Sequence, residues 1–389
     1  MMSIRVRPLL ALGGASVVAL ATVASPAPGQ AQEVVAEQRT QYQQIRAVEV
    51  AGDLEQPWGL AFLPDGSQLV TERPGRLLHI ADGERTQVSG LPQVSSRNQG
   101  GLLDVVLHPD FEENGWVYLT YSKADEAGQE TVPALVRARL DGHALVDLEH
   151  LFESNTYTSP GRHYGSRILF LEDGTLLMTI GDRGAQPERA QDPMDHSGSV
   201  VRLNADGTVP ADNPFVGDDS VADEIWSWGH RNIQGIVLHP GTGEVWATEH
   251  GPRGGDELNL IRPGHNYGWP TVSLGRDYRT QEPWSDRREH GAEMTPPVWE
   301  FLPTLAPSGL AVVPADAFAS TWDHNLLAGG LASQRIQRIV LEEGEVVHME
   351  EILPFDLGRI RDVRTGPDNH IWVLTGENEG GLYRLEPVG

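Results

Sequence analysis

Four polar clusters in this sequence carry residue types suited to chemistry. In Gly161-Arg162-His163-Tyr164-Gly165 an imidazole stands with little bulk around it. An unshifted imidazole titrates near physiological pH, so His163 is the candidate general base. Trp228-Gly229-His230-Arg231-Asn232 and Gly358-Arg359-Ile360-Arg361-Asp362 supply guanidinium groups, whose planar bidentate donors suit carboxylates and phosphates. Lys123 is the only lysine, so nearly every positive charge is an arginine. Taken singly, each of these arginines reads most simply as an ion-pair partner for the abundant acids. Taken together, Arg231, Arg359 and Arg361 read as a pocket for a small polyanion. The fourth cluster runs from Glu249 to Glu257 as Glu-His-Gly-Pro-Arg-Gly-Gly-Asp-Glu. It suggests oxygen-rich calcium chemistry, with backbone carbonyls at Gly251 and Pro252 and acids at Asp256 and Glu257, although glycine-rich acidic turns are common. His230 reads as a structural neighbour of Arg231, the role of His250 stays open, and His79, His108, His239 and His370 read as structural or surface residues.

Composition removes many other chemistries. The 389 residues include no cysteine, which excludes disulfides, thiolate zinc sites, iron–sulfur clusters, a catalytic thiol and covalently attached c-type haem. With 55 acidic against 29 basic residues the net charge is −26, which argues against nucleic acid or an anionic membrane as partner. Disorder is argued against as well, because 39% of the chain is apolar and 10 residues are Trp. No EF-hand spacing, Walker loop, Gly-x-Ser-x-Gly elbow or dinucleotide fingerprint occurs, so nucleotide cofactors and the usual serine hydrolases fall away.

The clusters must be held by strands. A short apolar strand, a turn built on Pro, Asp, Gly or Asn, and a second apolar strand recur six times, starting near residues 59, 101, 166, 235, 309 and 361. The spacings, roughly 40 to 75 residues, match propeller blades carrying loop insertions. Third strands follow in several units, as at Arg76, Leu258, Arg335 and Leu382. An all-β, six-bladed β-propeller accounts for the recurrence and protects the strand edges, which a pair of β-sandwiches does not explain. Loops from one end of such a ring converge on its channel, so residues far apart in sequence can share a site.

The N-terminus reads as an address. Arg5 and Arg7 precede an apolar run from Leu9 to Ala24, and Gly29-Gln30-Ala31 offers a small-residue cleavage site. Residues 1–31 are therefore expected to be a secretory signal peptide, 32–45 a polar leader and 46–389 a single catalytic propeller. Loss of the two signal arginines takes the net charge from −26 to −28. A periplasmic or secreted protein follows, without membrane insertion after cleavage, as a monomer or homodimer.

Several motifs occur in a recognisable order: Gln56-Pro57-Trp58-Gly59, Gln99-Gly100-Gly101-Leu102, His163 with Gly165 and Arg167, Gly229-His230-Arg231-Asn232, Glu249-His250-Gly251-Pro252, Asn266-Tyr267-Gly268-Trp269-Pro270, Ala306-Pro307-Ser308-Gly309 and Arg359-Ile360-Arg361-Asp362. From about Gln56 to Leu385 the chain resembles the glucose/sorbosone dehydrogenase family, soluble six-bladed propellers that oxidise sugars with pyrroloquinoline quinone and calcium. Gly251 to Glu257 and Leu203 to Pro214 are more similar to the bacterial aldose sugar dehydrogenase branch than to the classical soluble glucose dehydrogenase.

The resemblance implies roles. Arg359 and Arg361 would hold the carboxylates of the cofactor, with Gln99, Asn232 and Tyr278 lining the same pocket. The carbonyls of Gly251 and Pro252 would ligate a calcium ion, and Glu257 with the Tyr267 carbonyl a second, structural one. His163 would take the proton of the sugar's anomeric hydroxyl, and Arg231 would stabilise negative charge on the quinone. An external carrier would accept the electrons. Two departures stand out. Gly330 to Arg335 lacks the lysine that the glucose enzyme has there, so a cofactor contact is lost or taken over by Arg335. Leu302 replaces an aromatic residue that stacks on sugar, which implies broad aldose use. The other readings are a non-catalytic propeller that binds carbohydrate or protein and a calcium-dependent sugar lactonase.

Overall fold

Each of the six strand–turn–strand units folds as an antiparallel hairpin and carries further strands outward into its own sheet. The computed structural model describes residues 33–388, so the expected signal peptide lies outside the described residues. The architecture is a six-bladed β-propeller. The innermost strands are Pro57–Phe62, Leu102–Leu107, Ile168–Phe170, Ile233–Leu238, Pro307–Val312 and Ile360–Thr365, opening blades 1 to 6 in that order, and each touches the next around the ring.

The reason for this packing is legible in burial. The second strands Leu176–Ile180, Val245–Glu249 and Ile371–Thr375 are buried at every position, so they read as nearly continuous apolar runs and not as alternating ones. A sheet apolar on both faces must be covered on both faces. The hydrophobic clusters accordingly fall between blades. Leu69 and Leu77 of blade 1 pack with Leu119 and Val136 of blade 2, and Leu177 of blade 3 packs with Ile236 of blade 4. Blades 5 and 6 share Leu327, Trp322, Val363 and Val373.

The chain closes the ring with its own start. Gln44–Leu54 pairs antiparallel with Gly380–Val388, so blade 6 is built from both ends of the described chain. Val34–Arg39 then adds an outer strand. The expectation of a polar leader over 32–45, separate from the propeller, is corrected here, because Val34–Arg39 and the start of Gln44–Leu54 are paired strands of blade 6. Ala36 packs on the core shared by blades 5 and 6, and the Gln38 side-chain amide donates to the Glu351 carbonyl at 2.9 Å. Sequence polarity at these positions reflects an outer strand with one face in solvent. Among the described residues no helix is long and apolar enough to cross a membrane.

The middle of the channel is plugged by charge. Arg167 pairs with Asp362 at 3.0 Å and Asp104 at 3.4 Å, and Arg364 pairs with the same two acids at 2.9 and 2.6 Å. Two guanidinium groups against two carboxylates neutralise each other, with Arg167, Asp104 and Asp362 buried and Arg364 partly exposed, and this is the arrangement in which buried charge is tolerated.

Candidate active site

Turns between the second and third strands of a blade, and the links from one blade to the next, open at the same end of the ring. Residues from these two sets line a cavity of about 640 Å³ above the ionic plug. Gln99, His163, Arg231, Asn232, Tyr278, Arg359 and Arg361, all singled out in the sequence, meet there. Gly251, Pro252, Glu257 and Tyr267 are not in its lining. Gly251 and Pro252 nevertheless adjoin it, since His250 is in the wall and the Tyr278 hydroxyl donates to the Pro252 carbonyl at 2.9 Å.

His163 sits at φ 51° in the link between blades 2 and 3. Its imidazole Nδ1 lies 2.6 Å from Asp182 Oδ1. The carboxylate accepts the Gly184 N–H at 2.8 Å on that oxygen and the Trp269 indole N–H at 2.8 Å on the other. A carboxylate held this way only accepts, so the proton resides on Nδ1 and the lone pair of Nε2 is presented to the cavity. Arg231 Nη2 stands 3.4 Å from Nε2. Gln99 Oε1 accepts the His163 backbone N–H at 2.9 Å, and Asn232 Oδ1 accepts that of Gly165 at 3.0 Å. Burial first, and Arg231 second, lower the His163 pKa, against the opposing pull of Asp182. The ring is therefore a neutral proton acceptor at pH 7. Although burial opposes it, the His163 hydrogen bond leads the effects that hold the Asp182 carboxyl below its ordinary range. Asp182→Asn should lower kcat/KM by about a hundredfold and move the acidic limb of its pH profile to lower pH, because the anion that favours the imidazolium is gone; steady-state kinetics across pH 4.5–8 check both.

Arg73, Arg162, Arg231, Arg359 and Arg361 all line the cavity, and none lies within ion-pair distance of a carboxylate among the described residues. In a chain with 55 acids this is a deliberate imbalance. Its effect is plainest at Arg361, partly buried in the cavity wall with Gln234 Oε1 as a neutral partner at 3.0 Å. Burial, with Arg167, Arg73 and Arg359 nearby, brings its pKa down to about 9. His250, also in the wall, is kept neutral by burial and by Arg231 and Arg361.

The acidic turn divides its labour. Asp256 accepts the N–H groups of Gly251 at 3.1 Å, Leu305 at 2.9 Å and Ala306 at 2.8 Å, as well as the Thr304 hydroxyl, so it shapes the loop and is spent on it. Glu257 stands directly between Glu249 and Glu300 on adjacent strands. Like charges in register repel, and burial, with Glu249 and then Glu300, pushes the Glu257 carboxyl well above its ordinary range. Among the described residues no group of three or more His, Asp or Glu is arranged to hold a metal ion. His230 is structural as expected, buried between Ser227 at 2.9 Å and Glu249 at 2.9 Å and stacked on the Tyr267 ring.

Sequence reasoning missed several contributors. Asp182 was visible as a polar residue just after the second strand of blade 3, the same place that Glu249-His250 occupies in blade 4. Gln234 stood in the polar stretch that runs from Arg231 to Gly235 without a role of its own, and Arg73 gave less signal, since Glu72-Arg73-Pro74-Gly75-Arg76 reads as an ordinary charged turn. Arg335 does not replace the missing lysine, because it turns outward to Glu351 at 3.0 Å and takes no part in the lining. Leu302 is 68% exposed and also stands outside the lining, to which Trp58, Tyr164 and Tyr278 bring the aromatic surface.

The family model for glucose/sorbosone dehydrogenases matches residues 54–384. The chain belongs to the glucose/sorbosone dehydrogenase family. It is 38% identical to the aldose sugar dehydrogenase YliI of Escherichia coli, over 87% of this chain and 92% of that one. The apo structure of the soluble aldose sugar dehydrogenase from Escherichia coli superposes with a TM-score of 0.84 at 36% identity, covering 88% of this chain and all (100%) of that one. A structure of the pyrroloquinoline-quinone-bound aldose sugar dehydrogenase from Streptomyces coelicolor superposes with a TM-score of 0.73 at 26% identity, covering 92% of this chain and 100% of that one.

Proposed function

We propose that the chain is an exported quinoprotein that oxidises aldoses at the anomeric carbon to lactones, with pyrroloquinoline quinone and calcium as cofactors. One observation carries the reading: a neutral His163 seated on Asp182 shares a cavity with five guanidinium groups that have no carboxylate partner. A planar tricarboxylate suits such a set, and the volume, about 640 Å³, leaves space for a sugar beside it. The quinone-bound Streptomyces relative supports the same cofactor.

Arg359 and Arg361 would hold the carboxylates, with Gln99, Asn232 and Tyr278 around the same ligand and the carbonyls of Gly251 and Pro252 facing calcium. When bound, the quinone would supply a two-electron acceptor for hydride from the anomeric carbon, and calcium would supply a Lewis acid beside it. His163 Nε2 takes the hydroxyl proton, and Asp182 stabilises the imidazolium that results. Arg231 holds a fixed positive charge 3.4 Å from Nε2, and it would stabilise negative charge on a bound quinone. Because the chain has no cysteine and so no attached c-type haem, the electrons leave to a separate carrier.

A second calcium ion would be held by Glu257 and the Tyr267 carbonyl, and its charge would relieve the repulsion that Glu249 and Glu300 impose on Glu257 from the adjacent strands. Chelation with EGTA should therefore lower Tm by several degrees. Glu257→Gln should abolish that response and raise the Tm of the metal-free protein; differential scanning calorimetry with and without calcium checks both.

Reconstitution tests the main reading. The protein without its signal peptide is titrated with pyrroloquinoline quinone and calcium, followed by absorbance, and then assayed with several aldoses and an artificial acceptor. Saturable quinone binding with aldose-dependent reduction is expected. Binding without any aldose oxidation defeats the enzymatic claim. No binding leaves a carbohydrate- or protein-binding propeller, or, if sugar lactones are hydrolysed, a lactonase.

A further inference from the structure

A cavity that grips a tricarboxylate gains from cations on more than one side, and the blade 5 turn carries none of its own, the nearest being Arg359 of the following link, whose Nη1 donates to the Leu331 carbonyl at 3.4 Å. The second-to-third-strand turn of blade 5 contributes Leu331 and Ala332 to the wall, and Arg335 is engaged with Glu351 outside it. The corresponding turn of blade 1 holds Arg73. Its backbone is fastened on both sides, the N–H donating to the Gln56 carbonyl and the carbonyl accepting the Leu102 N–H, each at 3.1 Å. Gly101 makes the second contact possible, since a Cβ there would stand 2.2 Å from the Arg73 carbonyl oxygen. The side chain is fixed as well. Nη1 donates to the Asn98 carbonyl at 2.6 Å and Nη2 to Gln56 Oε1. Gln56 in turn donates from its amide to Asn378 Oδ1 of blade 6 at 2.9 Å. Both partners of the guanidinium are neutral, so its charge remains uncompensated at the cavity wall.

We propose that Arg73 is a third guanidinium of the cofactor clamp, binding a carboxylate of pyrroloquinoline quinone from the blade 1 turn, whose counterpart in blade 5 carries no cation into the cavity. This rests on the reading of the cavity as a quinone site. Burial lowers the Arg73 pKa, and the charge of Arg73 is among those that depress Arg361. An anion lying between them relieves both groups, which is the electrostatic condition for a clamp.

The test is cofactor binding, read without turnover. Apo wild-type protein and the variants Arg73→Gln, Arg73→Lys and Arg335→Gln are titrated with pyrroloquinoline quinone in the presence of calcium at two salt concentrations. Arg73→Gln should raise Kd by about tenfold to a hundredfold and flatten its dependence on salt, as expected when one charge-assisted contact is removed. Arg73→Lys, which keeps the charge and guards against a folding artefact, should recover part of the affinity and the salt dependence. Arg335→Gln should bind as wild type does. Wild-type affinity and salt dependence in Arg73→Gln overturn the assignment of Arg73 and leave the quinone site standing. A wild-type protein that binds no quinone overturns both.

Discussion

Replacing His163 by alanine will lower kcat for aldose oxidation by about a thousandfold and leave the Kd for pyrroloquinoline quinone nearly unchanged. The separation follows from geometry. Nδ1 is committed to Asp182 at 2.6 Å, so the imidazole offers the ligand a lone pair and no positive charge. The carboxylate grip belongs to the arginines. His163→Asn is the companion variant, because asparagine tolerates the positive φ of this position and separates loss of the base from backbone strain. In the wild type, the acidic limb of kcat/KM against pH should be centred below the ordinary imidazole value of 6.5, because burial and Arg231 disfavour the imidazolium. Activity is then lost as pH falls through that depressed pKa and is level above it. Single-turnover rates of the two variants, with quinone binding measured separately, check the first expectation; retained turnover in both would remove His163 from the mechanism.

Arg361→Met will raise the Kd for pyrroloquinoline quinone by about a hundredfold or more and at the same time raise the Tm of the apo protein by a few degrees. The two signs share one cause. Arg361 is partly buried with a neutral Gln234 as its hydrogen-bond partner, among Arg167, Arg73 and Arg359, and its pKa of about 9 expresses the cost of keeping it charged there. An apolar side chain of similar length removes that cost and removes the clamp with it. Arg364, three residues along the same strand, makes the contrast. It lies between Asp104 and Asp362, which raise its pKa, and Arg364→Met should lower Tm because two buried acids lose a partner. Calorimetry of the two apo variants beside quinone titrations decides the matter. A fall in Tm for Arg361→Met without loss of affinity would make Arg361 a structural residue.

The sequence alone determined the repeat, and through it the fold. Six apolar hairpins whose strands are buried on both faces can be covered only by one another, and a closed ring does this without leaving a long edge. His163, Arg231, Arg359 and Arg361 were legible as well, because the first three stand in the polar segments that lead into innermost strands and Arg361 is the second residue of one. Which partners they meet is a matter of closure. Blade 6 is completed by Gln44–Leu54 from the other end of the chain. The dyad of His163 and Asp182 forms across the links of blade 3, and Trp269 reaches it from a segment 87 residues beyond Asp182. Arg73 and Arg335 are alike in sequence, each an arginine near a turn between second and third strands with another arginine three residues on, and tertiary structure sends one to the cavity and the other outward to Glu351. Local pattern decides which residues stand in a turn. The direction of a side chain leaving that turn depends on contacts with neighbouring blades, which exist only once the ring has closed.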